Sequence, residues 1–210
     1  MTKQDFFKYH LKETKDSTNF FVNFTNQETF NTIIKNKSLK NVFLNAPNKS
    51  GKSHLVNIWK QNNNAILYSH NLKEIIDTKK NVAIDDLFIN LIEEDIFHII
   101  NHCKQENLKI LITSDLSIND HQFKLKDLKS RLKTFYHVSI SNPDDEMIKI
   151  ILTKLLHEKQ FIIKNPEIFE FLVKRIERSY LSIYNLVDKL DKLSLEKKRQ
   201  LTIPLIKEII

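Results

Sequence analysis

The 210-residue chain has a formal net charge of +7 and one cysteine, Cys103, so a disulfide framework is excluded and a reducing compartment is indicated. No apolar run approaches the roughly 18 residues that a membrane span requires, and the N-terminus lacks an apolar signal core, so we expect a cytoplasmic protein. Its basic residues are spread along the chain, which predicts weak non-specific DNA affinity and no DNA-reading site.

Residues 1–18 form a polar N-terminal tail that carries one aromatic cluster. The aromatic residues are Phe6, Phe7 and Tyr9, and Gln4 precedes them. Two interpretations stay open: a short linear peptide that enters a partner's pocket, and a tail that folds back onto the domain. Beyond the tail, Asn26 is predicted to cap a helix that carries Phe30, Ile33 and Ile34.

The stretch 41–55 reads as a strand, a phosphate-binding loop and a helix. A phosphate-binding loop requires Gly, four residues and then Gly-Lys-Ser/Thr, so that backbone N–H groups cradle phosphates, the lysine reaches the β and γ phosphates and the hydroxyl binds Mg²⁺. Ala46 replaces the first glycine, which predicts weakened nucleotide affinity rather than its loss. The chain's one glycine is Gly51, where a side chain would block the approach of backbone to phosphate. The predicted nucleotide contacts are Ala46, Pro47, Asn48, Lys49, Ser50, Gly51, Lys52, Ser53 and His54.

Carboxylates follow a later apolar strand. A second strand is predicted at 65–68 and a third at 81–86, which ends in Asp85 and Asp86. Asp85 at this strand end is expected to hold Mg²⁺ beside Ser53, and Asp86 to orient a water. A fourth strand at 109–113 is followed by Ser114 and Asp115, which we expect to face the γ-phosphate.

Strands and helices alternate up to residue 142, with further helices predicted at 93–106 and 125–132 and a fifth strand at 136–140. This alternation predicts a parallel sheet flanked by helices, with ligand at the carboxyl ends of the strands. From Pro143 onward the periodicity is helical, and Pro143, Pro166 and Pro204 suit helix starts. We therefore expect an α/β P-loop domain over 19–142 and a small α-helical lid over 143–210.

Together these segments resemble the AAA+ ATPase module of the bacterial replication initiator DnaA, and more closely the shorter DnaA-related regulators of the Hda type. The resemblance covers nearly the whole chain, in matching order and spacing. It rests on residues 19–26, 51–55, 84–86, 111–115, 128–132, 143–146 and 201–204.

The resemblance implies ATP or ADP with Mg²⁺ as cofactors and AAA+-style self-association. It implies phosphate and Mg²⁺ binding by Lys52 and Ser53, and a Walker B pair. It also implies a first sensor region and an arginine finger that completes a neighbouring subunit's site. These positions are Asp85 and Asp86 for the pair, Thr113, Ser114 and Asp115 for the sensor, and Arg131 for the finger.

Two departures from DnaA change the expectations. DnaA continues into a helix-turn-helix domain, whereas this sequence stops at Ile210, so we expect no readout of origin sequence. Leu181 stands at the second-sensor position, where the family has a nucleotide-touching arginine. Arg178, predicted one turn earlier on the same helix face, is a candidate substitute.

The resemblance also suggests partners. Hda-type regulators dock on the replicative sliding clamp through an N-terminal peptide, of which Gln4 with Phe6 and Phe7, or with Phe7 and Tyr9, is a degenerate form. We therefore expect a regulator of chromosomal replication initiation that presents Arg131 to ATP-bound DnaA while it is docked on the clamp. Two alternatives stay open: a self-contained AAA+ ATPase such as a helicase loader, and a nucleotide-bound DNA accessory protein.

Overall fold

A five-stranded parallel sheet forms the centre of the structure, a computed structural model that describes residues 20–89 and 91–210. The strand order is β2-β3-β4-β1-β5, and every neighbouring pair runs parallel. The predicted parallel sheet is confirmed. The strands are β1 Asn41–Asn45, β2 Ala65–Leu67, β3 Asn81–Ile84, β4 Ile110–Ser114 and β5 Tyr136–Ser139.

Helices cover both faces of this sheet and then form the C-terminal region. They are α1 Gln27–Phe30, α2 Lys52–Asn62, α3 Leu72–Thr78, α4 Glu93–Gln105, α5 Lys126–Lys133, α6 Asp145–Glu158, α7 Glu167–Val173, α8 Tyr180–Lys197 and α9 Ile203–Ile206. The sequence pattern did not predict α3. A π-helical turn over Asn31–Lys35 continues α1.

The two faces of the sheet build separate apolar clusters because successive side chains of a strand point to opposite faces. On one face Phe43, Ile84 and Ile112 pack with α3, α4 and α5. On the other, Leu44 and Leu111 pack with α1 and α2. The phosphate-loop helix α2 and helix α5 therefore lie on opposite faces.

The helices from α6 onward form the predicted lid around their own core, which includes Leu152, Leu172 and Leu190. Pro143 lies just ahead of α6 rather than in its first turn. Asp144 is the N-cap of α6, with its carboxylate accepting from the backbone N–H of Met147 at 2.7 Å, so Pro143 precedes the cap. No helix in the part of the chain that the structure describes is long and apolar enough to cross a membrane.

The segment ahead of α1 joins the sheet to the lid. The Asn23 amide donates to both carboxylate oxygens of Asp144, at 3.0 and 3.2 Å. Asn26 occupies the predicted N-cap position of α1 but makes no side-chain cap bond. Its amide instead donates to the Phe21 carbonyl, and its Oδ1 accepts from the backbone N–H of Asn23. The two asparagines thereby fold the segment into a turn that faces the lid.

Cys103 is a buried residue of α4, as its place on the apolar stripe predicted. Burial raises the pKa of its thiol to about 12. Because the thiolate is the reactive form, we expect the native protein to resist a thiol reagent such as 5,5′-dithiobis(2-nitrobenzoate) at pH 8. The same protein in guanidinium chloride should react to one thiol per chain. Rapid labelling of the native protein would contradict the buried position.

Candidate nucleotide site

The loop between β1 and α2 has the geometry of an anion site. Residues 46–51 carry two positive φ values, 66° at Lys49 and 96° at Gly51, and Gly51 is the N-cap of α2. The backbone N–H of Ala46 donates to the Ser114 carbonyl at 2.9 Å, which anchors the start of the loop to β4. The first N–H groups of α2 have no partner within the helix, so its N-terminus favours negative charge.

Lys52 connects the loop to the end of β3. Its side chain is 4% exposed, and its ammonium donates to the carbonyls of Ala46 at 3.0 Å and Pro47 at 3.4 Å. It also lies 3.3 Å from Oδ1 of Asp86. A buried ammonium needs such partners, and these hold its charge between the phosphate loop and the acidic pair.

Thr113, which is fully buried, organises the acidic pair. Its hydroxyl donates to Oδ1 of Asp85 at 2.7 Å and accepts from the backbone N–H of Asp86 at 2.9 Å. The backbone of Asp86 has a φ of 49°, so the chain turns sharply after β3. A single hydroxyl on β4 thus sets the orientation of both residues.

The other residues at the tip of β4 divide between two roles. The Ser114 hydroxyl donates to the Leu116 carbonyl at 2.8 Å and accepts from its N–H at 3.0 Å, so it serves a turn, contrary to the expectation that it faces the phosphates. Asp115 is exposed and accepts from the Asn48 amide at 2.9 Å. This contact links the tip of β4 to the phosphate loop.

His54, in the first turn of α2, is influenced by residues that the sequence did not indicate. Its ring packs edge-on against Phe20 with the centroids 5.5 Å apart. Burial, and next the charge of Lys154 in the lid, lower the pKa of His54 below its usual value. Both influences favour the uncharged imidazole. No sequence spacing indicated Phe20 or Lys154, because both are distant from His54 along the chain.

Packing gives a second reason for glycine at position 51, which the sequence did not indicate. A Cβ at this position would lie 2.9 Å from Cε2 of Phe20, in a left-handed conformation that costs other residues about 1–2 kcal/mol. We expect Gly51→Ala to destabilise the protein by at least that amount in urea unfolding. In the Phe20→Leu background the penalty should shrink but persist, since only the steric part is removed. An equal penalty in both backgrounds would exclude the contact with Phe20.

Within the described residues, no hydrogen bond or ion pair joins the phosphate loop to either of the two arginines assigned to nucleotide chemistry. Arg131 is on α5, on the sheet face opposite α2, and its guanidinium lies over the ring of Phe97 at 4.8 Å. The helical position predicted for Arg178 is wrong: it lies in the loop before Ser179, the N-cap of α8, and pairs with Asp145 at 2.8 Å. Leu181 is 45% exposed in the first turn of α8.

The structure thus brings together the phosphate loop, Lys52, Asp85, Asp86 and Thr113 at the carboxyl ends of the strands. The tail residues Gln4, Phe6, Phe7 and Tyr9 lie outside the described residues.

This fold and this constellation define a P-loop protein of the AAA+ class with a helical lid. Residues 144–210 match the family described as "Hda, lid domain". The chain is 29% identical over 183 residues to the chromosomal replication initiator protein DnaA of Buchnera aphidicola, a match that covers 85% of this chain and 40% of that protein. It is also 28% identical over 179 residues to a Haemophilus influenzae protein without an assigned function, covering 77% of each.

Solved structures show the same architecture. Domain III of Thermotoga maritima DnaA aligns with a TM-score of 0.69 at 19% identity, over 91% of this chain and 95% of that one. Aquifex aeolicus DnaA bound to AMPPCP aligns at 0.63 and 19% identity, over 85% and 66%. The RuvB branch migration motor of T. maritima aligns at 0.62 and 13% identity, over 86% and 66%. The chain thus has the fold of these AAA+ proteins and is similar in sequence to DnaA, and its C-terminal helices match the Hda lid family.

Proposed function

We propose that this protein is a cytoplasmic regulator of chromosomal replication initiation that stimulates ATP hydrolysis on DnaA. The observation that carries the proposal is the position of Arg131. It lies on the sheet face opposite its own phosphate-loop helix, and its guanidinium has no ion pair or hydrogen bond among the described residues. A guanidinium in this position suits the nucleotide of a neighbouring protein better than its own.

The chemistry of this step is charge neutralisation. Negative charge on the γ-phosphate oxygens must be stabilised in the transition state, and an arginine supplied by a second protein contributes about 10³ to 10⁵ in rate. Arg131 would donate its planar N–H groups to those oxygens. Once the nucleotide on DnaA is hydrolysed, the initiator is switched off.

We further propose that the protein itself binds ATP or ADP. The side chains and backbone groups of the site suit a nucleotide with Mg²⁺. The N-terminus of α2 and the buried Lys52 ammonium would bind the phosphates. Ser53 and Asp85 would offer oxygen ligands to Mg²⁺. Bound Mg²⁺ would neutralise charge on the β and γ phosphates. The AMPPCP-bound state of the similar A. aeolicus DnaA supports this assignment.

The N-terminal tail would dock the protein on the sliding clamp through Gln4 with Phe6 and Phe7, or with Phe7 and Tyr9. This part of the proposal rests on the sequence resemblance. Self-association of the AAA+ kind is a further expectation of the same resemblance. Weak non-specific binding to DNA is expected from the net positive charge.

The decisive experiment is ATP turnover by purified DnaA from the same organism, with and without this protein and DNA-loaded clamp. We expect stimulation that requires both additions. Stimulation without the clamp would show that docking of the tail on the clamp is not needed for the mechanism. Absence of stimulation under all conditions would reject the regulator.

A self-contained ATPase, such as a helicase loader, is the second candidate. Lys52, the Asp85–Asp86 pair and Thr113 together provide the groups that turnover in its own site requires. Against it stands Leu181, which brings no guanidinium to the nucleotide. Appreciable turnover by the isolated protein, lost in Asp86→Asn, would establish this candidate in place of the first.

A further inference from the structure

Helix α4 holds α5 at two points one turn apart. The Glu93 carboxylate accepts from the backbone N–H groups of Lys124 at 3.0 Å and Leu125 at 2.7 Å, and so fixes the start of α5. Phe97, four residues further along α4, places its ring under the guanidinium of Arg131, 4.8 Å from the ring centroid to Cζ. Residues four apart lie on the same helix face, so a single surface of α4 supports both the start of α5 and its arginine.

Each side of α5 carries a basic side chain that lies over an aromatic ring. Leu128 and Leu132 are fully buried beneath the helix. Lys129 lies over the ring of Phe123 at 5.8 Å on one side, and Arg131 lies over Phe97 on the other. Both cations are thus held against rings rather than against carboxylates.

Arg131 differs in its contacts from the other three arginines of the chain. Arg178 pairs with Asp145 at 2.8 Å and Arg199 with Glu208 at 3.6 Å. Arg175 stacks on Phe171 at 3.9 Å and also donates to the Phe171 carbonyl at 3.3 Å. Among the described residues, Arg131 is the only arginine whose guanidinium lies over an aromatic ring without a hydrogen-bond or ion-pair acceptor.

This difference has a chemical consequence. A carboxylate that held the arginine would occupy its N–H donors and cancel its charge. An aromatic face attracts the cation through the ring quadrupole and leaves all five N–H donors in the guanidinium plane free. The ring therefore restrains the side chain without using the groups that an anion would need.

We propose that Phe97 is a positioning residue for Arg131, holding the guanidinium as a preoriented, unneutralised donor for the γ-phosphate of a neighbouring nucleotide. The inference rests on the proposed function of Arg131. The ring lowers the number of conformations that the long side chain must give up when it meets the phosphate, which is how preorganisation raises a rate.

The test compares Phe97→Leu, Phe97→Tyr and the matched control Phe171→Leu in the full chain. DnaA turnover is measured as a function of this protein's concentration. We expect Phe97→Leu to lower the maximal stimulation roughly fivefold, the factor that a cation–π contact of ordinary strength represents, with the half-saturating concentration unchanged. Phe97→Tyr should restore the rate, and Phe171→Leu should leave it unaltered although it removes a similar stack.

A second measurement is independent of activity. In the NMR spectrum, the Arg131 Hε and Hδ signals should show upfield ring-current shifts that Phe97→Tyr preserves and Phe97→Leu abolishes. Absence of the shift in the unaltered protein would overturn the proposal. A fivefold loss in Phe97→Leu that Phe97→Tyr does not restore, or that comes with weaker half-saturation, would overturn it in favour of a structural role.

The two hypotheses fail differently. Full stimulation by Arg131→Ala rejects the proposed function, and the inference about Phe97 falls with it. Loss of stimulation in Arg131→Ala together with normal stimulation in Phe97→Leu leaves the function standing and rejects only the positioning role.

Discussion

Replacement of Arg131 by alanine is expected to remove the proposed stimulation of ATP hydrolysis on DnaA, with a loss of about 10³-fold or more in the stimulated rate. The reason is electrostatic: no other arginine in the described part of the chain has a guanidinium free of acceptors. Single-turnover hydrolysis of ATP prebound to DnaA measures the loss directly. Arg131→Lys should recover little, since an ammonium lacks the planar pair of donors.

The control for this variant is Arg175→Ala, which removes a ring-stacked arginine from the lid. Arg175→Ala should stimulate normally. The protein's own nucleotide affinity should be unchanged in Arg131→Ala, because α5 and the phosphate-loop helix pack on opposite faces of the sheet. Wild-type stimulation by Arg131→Ala would refute a finger acting in trans.

Replacement of Lys52 by methionine is expected to weaken ATP binding to this protein by about 100-fold. A hydrogen bond to a charged group contributes about 1.5–3 kcal/mol. Losing the hydrogen bond and the positive charge that Lys52 offers to phosphate at the upper end of this range corresponds to about a 100-fold weaker affinity. Methionine retains the length of the side chain. It also leaves the Asp86 carboxylate without its cation at 3.3 Å, which adds repulsion toward phosphate. Isothermal titration calorimetry with ATP and Mg²⁺ measures the change.

Lys49→Met is the matched control, since Lys49 belongs to the same loop but directs its ammonium to the Tyr184 ring at 5.3 Å in the lid. We expect its effect on affinity to stay within threefold, the range of a weak exposed contact. Equal losses in the two variants would indicate that net loop charge, rather than the geometry of Lys52, determines affinity.

The sheet and the phosphate loop were predictable because their signals are local. A strand buried on both faces reads as a short apolar run, as Val42-Phe43-Leu44 and Ile110-Leu111-Ile112 do. The Gly-Lys-Ser motif follows β1, and the acidic pair follows β3, so chain order alone placed them at one edge. Helix α3 was missed because Ile75 is its one buried side chain, too little to make a stripe.

Contacts between distant segments were not predictable. The position of Arg178 depends on where Ser179 starts α8, and a helix boundary is decided by its cap rather than by periodicity. Phe20 against Gly51 and Phe97 under Arg131 join parts of the chain that no spacing rule relates. Arg131 itself was found by resemblance, and its surroundings became visible only in three dimensions.

The bond between Asn23 and Asp144 affects how this protein can be recombined with its relatives. Asp144 is the first residue of the matched lid family, yet its carboxylate is held by the segment ahead of α1, and Met147 and Tyr180 are buried in the cluster around α2. A chimera spliced between residues 143 and 144 would take the two partners of this bond, and the two sides of this apolar cluster, from different parent chains. The transplantable module is therefore discontinuous in sequence: the lid together with residues 20–26.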